Sequence, residues 1–69
     1  MPRKIKALIA DLQQAGFIQI KGGKGSHRKF THVRFDGAIT LSGKDGSDAK
    51  PYQEKQVARA IESVSHETD

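Results

Sequence analysis

The sequence predicts an α+β domain with the element order α-β-β-β-α. Two observations carry this. Apolar residues at helical spacing occupy the two ends of the chain, Ile5, Leu8, Ile9 and Leu12, then Val57, Ala60, Ile61 and Val64. Between them lie three short segments rich in β-branched and aromatic residues, separated by glycine-containing turns. Three antiparallel strands with both helices on one face would bury both apolar stripes against one sheet and leave its other face wet.

The first helix is predicted from about Arg3 to Ala15, where Gly16 supplies the left-handed residue that ends it. Phe17-Ile18-Gln19-Ile20 reads as the first strand, broken by the Gly22–Ser26 stretch. His27 to Phe35 reads as the second strand. Asp36-Gly37 is a hairpin signal, and Ala38 to Ser42 is the return strand. A two-residue turn puts Phe30 with Ile39 and Leu41 on one face; a three-residue loop puts Val33 and Phe35 there instead. The first arrangement is preferred, with Phe30, Ile39 and Leu41 inward and His27, Lys29 and Thr31 on the open face. Gly43 to Lys50 reads as a flexible loop whose Asp45 and Asp48 are solvated. Pro51 suits the first turn of the last helix.

The 69 residues make one domain, residues 1–69, with a tail that frays from about residue 65. A chain this short buries only about 60% of its unfolded surface, and such a core rarely supplies more than ~3–5 kcal/mol. No apolar run approaches 18 residues, so no membrane span is expected. The sequence has no cysteine, which excludes thiol chemistry and thiolate metal sites. A small secreted domain normally needs disulfides, so the cytoplasm is the expected setting.

The net charge of +4 is unevenly placed. From Leu12 to Phe35 no acidic residue occurs, while Lys21, Lys24, Arg28, Lys29 and Arg34 give that stretch +5. The rest carries seven basic residues against eight acidic ones. A local basic stretch points to a polyanion, with nucleic acid the leading partner.

Lys24-Gly25-Ser26-His27-Arg28-Lys29 is the segment richest in chemistry. Glycine lets a backbone approach a ligand and expose its N–H groups. His27 supplies an imidazole, the side chain used most often to move a proton in catalysis, and Lys24, Arg28 and Lys29 can hold phosphates. Cleaving RNA asks for little more than a base for the ribose 2′-OH and positive charge on the phosphate. His32 falls on the opposite strand face from His27 and reads as a core-edge histidine. His66 lies in the tail. The three histidines lack metal-ligand spacing and the aspartates are scattered, so no metal and no cofactor are expected. The glycines precede a strand rather than a helix, which excludes a nucleotide P-loop. Lys50 and the start of the last helix could attract phosphate, although plain capping is the simpler reading. Tyr52 could stack on a base, but is expected to pack back on the sheet.

These residues form a familiar combination. Ala15-Gly16-Phe17, then Gly25-Ser26-His27, Phe30 three residues beyond that histidine, then His32, a hairpin strand, and a helix after a Lys and a Pro together resemble the HicA family of bacterial toxins, also called YcfA-like proteins. The likeness runs from about Ile5 to Val64. It implies a fold similar to the double-stranded-RNA-binding domain. It implies a toxin of a toxin–antitoxin pair that cleaves mRNA as a metal-independent endoribonuclease, without the ribosome. It also implies a partner, the HicB antitoxin, that covers the active site. The family's catalytic histidine corresponds to His27, with Gly25 in the same motif. Val33 stands where family members typically carry a Pro after the second histidine, and Leu41-Ser42-Gly43 replaces their usual His or Pro. Two rivals stay open: an RNA-binding module without chemistry, and an interaction protein whose charged strand binds an acidic partner.

Overall fold

In the computed structural model, residues 3–20 and 27–65 are described. The order is α1 (Ile5–Gln14), β1 (Ile18–Ile20), β2 (Arg28–Thr31), β3 (Ile39–Leu41) and α2 (Pro51–Ser65). The strands form one antiparallel sheet in the order β1-β2-β3. Phe30 pairs with Gln19 on one side and Ile39 on the other. Phe30, Ile39 and Leu41 are buried against Ile5, Leu8 and Leu12 of α1 and Val57, Ala60 and Val64 of α2. The expected α+β architecture is present, and so is the preferred strand face.

The end of α1 shows how a local sequence sets an entry angle. Gly16 has a φ of +99°, a region that L side chains rarely adopt. The Gly16 N–H donates to the Gln13 carbonyl and the Phe17 N–H to the Leu12 carbonyl, at 3.0 and 2.9 Å. This is a Schellman motif, and its hydrophobic contact is present because Leu12 and Phe17 are both buried. The chain therefore leaves α1 turned directly into β1, an edge strand of the sheet.

The hairpin departs from the expectation. β2 ends at Thr31, so residues 32–38 form a seven-residue connection in place of the two-residue Asp36-Gly37 turn. Two contacts pull the chain out of the ladder. The His32 ring reaches back to the end of α1, and the Phe35 ring lies edge-on to Phe17 at 5.5 Å. Phe35 N–H donates to the His32 carbonyl, closing a tight turn. The pairing shifts by an even number of residues relative to the short turn, which preserves which side chains face inward.

In the Gly43–Lys50 loop Asp45 and Asp48 are exposed as expected, but the loop has a structural task. It caps α1. Ile5 and Lys6 N–H groups, left without partners inside a helix start, donate to the Ser47 and Asp45 carbonyls at 2.9 and 3.1 Å. Lys4 pairs with Asp48 at 2.6 Å, and Arg28 pairs with Asp45 at 2.5 Å. At the other end of the loop Gln53 is 4% exposed and fully used. Its Oε1 accepts from the Lys50 N–H and its Nε2 donates to the Ser42 carbonyl. That is half of a capping box, so the α2 N-terminus has ordinary capping chemistry. Tyr52 stands 59% exposed and does not pack back on the sheet.

Candidate nucleic-acid interface

Because Phe30 points into the core, alternation along β2 puts Lys29 and Thr31 on the opposite face of the sheet. The register aligns Ile20, Lys29 and Thr40 in one row and Ile18 with Thr31 in the next. Among the described residues no helix covers this side: Ile18 is 62% exposed and Thr40 is exposed. His27 immediately precedes β2, two residues from Lys29. Its side chain is exposed and has no hydrogen-bond or ion-pair partner among the described residues. Lys29 likewise has no ion-pair partner among them. Among the described residues the arrangement offers an imidazole without a partner, an ammonium two residues on, and a face of threonines and isoleucines.

Lys24, Gly25 and Ser26, expected to bind RNA beside His27, lie outside the described residues, as does His66. Arg28, expected with them on phosphate, is turned elsewhere. It shares the inward parity of Phe30, and its guanidinium donates from Nη1 to Asp45 and from Nη2 to the Gly43 carbonyl at 3.0 Å. It ties the start of β2 to the loop that caps α1.

His32 is built into the fold. Its Nδ1 accepts from the Arg34 N–H at 2.9 Å, which leaves Nε2 as the protonated nitrogen, 3.1 Å from the Ala15 carbonyl. The ring lies 5.0 Å from Phe17. It also sits so close to Gly16 that a Cβ there would come within 2.9 Å of Nε2. Both ring nitrogens are occupied, so His32 is a bolt between the α1 terminus and the hairpin. His32→Ala should cost roughly 1–3 kcal/mol of stability, read from a melting curve, with activity retained by the folded fraction.

Among the described residues, no three His, Asp or Glu side chains come together in a way that could hold a metal ion. No helix of the described chain is long and apolar enough to cross a membrane.

Residues 5–62 match the family described as HicA toxin of bacterial toxin-antitoxin. The chain belongs to the HicA toxin family. No curated protein and no solved structure matches it. Membership makes this HicA-type chain one half of a toxin–antitoxin pair and accounts for the resemblance carried by Ala15-Gly16-Phe17 and Gly25-Ser26-His27.

The 43–50 loop was the part of the HicA-type frame that motif reading passed over. One signal was available. Lys4 stands at the α1 N-cap, where a Ser, Thr, Asp or Asn would be expected. A helix lacking its own cap needs donor partners from elsewhere in the fold.

Proposed function

We propose that this toxin is an endoribonuclease that cleaves mRNA on the open face of its sheet, with His27 as the catalytic base. The observation that carries the reading is the contrast between the two described histidines. His32 has both nitrogens engaged, whereas the His27 side chain, immediately before the strand that carries Lys29, is exposed and has no partner among the described residues.

In this mechanism His27 takes the proton of a ribose 2′-OH. The freed 2′-oxygen attacks the adjacent phosphorus and the bond to the 5′-oxygen breaks. That oxygen takes a proton from water, leaving a 2′,3′-cyclic phosphate and a 5′-hydroxyl. Lys29 holds the phosphate as it gains charge, helped by Lys24 and by the N–H groups of Gly25 and Ser26. Arg28 contributes by fixing the strand that presents His27. The setting is the cytoplasm and the partner is a HicB-type antitoxin.

The test is cleavage of a purified transcript with and without EDTA. Cutting should continue at an unchanged rate in chelator, with cyclic phosphate ends on the products. Loss of cutting in EDTA and recovery with Mg²⁺ would contradict the mechanism.

A second reading has one observation in its favour: no second acid stands beside His27 among the described residues. The chain would then bind RNA without cutting it. Both readings place phosphate on Lys29, and a salt titration tests that. On single strands each neutralised phosphate contributes about 0.7 to the slope of log affinity against log salt. Lys29→Ala should weaken RNA binding across sequences and reduce the slope by about that amount. Arg28→Ala should instead lower the melting temperature and leave the slope unchanged. A salt-independent affinity would favour a protein partner on this face.

A further inference from the structure

A groove of about 620 Å³ runs between the 32–38 connection and α2. Phe35, Ala38, Ile39 and Ala60 line it with apolar surface, and Tyr52, Lys55 and Arg59 stand along its α2 side. Asp36 lines the hairpin side. The groove opens on the helix-covered side of the sheet, beyond the end of β2. His27 precedes the other end, about 13 Å away along the strand alone. The groove is therefore separate from the face described above.

Its α2 wall is built against the interest of the helix. Lys55 and Arg59 are spaced i, i+4, a like-charge pair that destabilises a helix by ~0.2–0.5 kcal/mol. Neither has an ion-pair partner among the described residues. Glu54, beside Lys55 in sequence, is engaged instead with the Arg3 backbone N–H, and Glu62 follows Arg59 by three residues. One turn before Lys55, Tyr52 holds a large aromatic ring out in solvent. Exposed aromatics and unpaired cations around an apolar floor are what anchor a protein partner.

We propose that this groove docks a short acidic segment of a protein partner, seating one large apolar side chain on its floor between Tyr52 and Phe35 and placing carboxylates on Lys55 and Arg59. Charge complementarity selects the acid, and the apolar floor selects protein over RNA. A nucleic-acid surface is more polar and more uniformly positive than this. The antitoxin that family membership provides is the natural donor of the segment. The proposal rests on the toxin–antitoxin reading, but not on catalysis by His27.

The experiment titrates the isotope-labelled full chain with an acetylated, amidated Asp-Glu-Leu-Phe-Glu peptide, and separately with a short single-stranded RNA, following amide shifts. The peptide should shift Ala38, Tyr52, Lys55 and Arg59 and leave Ile18, Lys29 and Thr31 in place. Lys55→Glu combined with Arg59→Glu should weaken the peptide at least about tenfold while leaving RNA cleavage unchanged. Both substitutions are at exposed helix positions, and the amide spectrum itself reports whether the variant is folded; Lys55→Gln with Arg59→Gln serves if it is not. Absence of peptide binding, or shifts on the open sheet face, would overturn the proposal. So would a groove that responds to RNA and not to the peptide. A wild-type chain that fails to cut RNA yet takes the peptide in the groove would count against the nuclease reading alone.

Discussion

Phe30→Ala should abolish the cooperative unfolding transition. Phe30 is fully buried at the centre of β2, between Gln19 of β1 and Ile39 of β3. It belongs to the cluster where the two helices meet the sheet. Removing a buried Phe ring costs about 3–5 kcal/mol in transfer and cavity terms together. That equals the whole of what a core this small usually supplies. No neighbour is placed to collapse into the gap, because Leu8, Leu12 and Leu41 are already packed at 0–1% exposure. The measurement is far-ultraviolet circular dichroism against temperature and urea. A variant that still melts cooperatively, within about 1 kcal/mol of the parent, would mean that the core is not organised around Phe30.

The same residue explains why much of the fold can be read without coordinates. Phe30, Ile39 and Leu41 alternate with polar neighbours, and both helices carry a single apolar stripe. Each local choice agrees with the same contact between one helix layer and one sheet, and such agreement is what specifies a fold. The Gly16 terminus is equally legible because a left-handed glycine after a helical stripe has few other uses.

The hairpin was not legible, for a physical reason. Asp36-Gly37 is a strong turn signal, but turn propensity is worth little against two long-range contacts. Those contacts, His32 to Ala15 and Phe35 to Phe17, bring together residues 17 and 18 positions apart. Nothing local in the sequence encodes them. The Arg28 contacts were not legible for a similar reason. Its charge is visible in the sequence, but its inward parity and its pairing with Asp45 depend on where the 43–50 loop settles. The outward face of Lys29 was legible because strand alternation puts it opposite Phe30.

The central claim is that His27 does the chemistry, and the direct test is the rate of RNA cleavage by His27→Ala beside the parent chain. The side chain is exposed and without a partner among the described residues, so its removal should leave stability within about 0.5 kcal/mol, the usual range for a surface change. Loss of a general base typically lowers a rate by 10²–10⁴-fold, roughly. The expected result is a variant that melts with the parent, binds RNA with the same salt dependence, and cuts about 10²–10⁴ times more slowly. A folded His27→Ala chain that cleaves RNA at the parent rate would contradict the account.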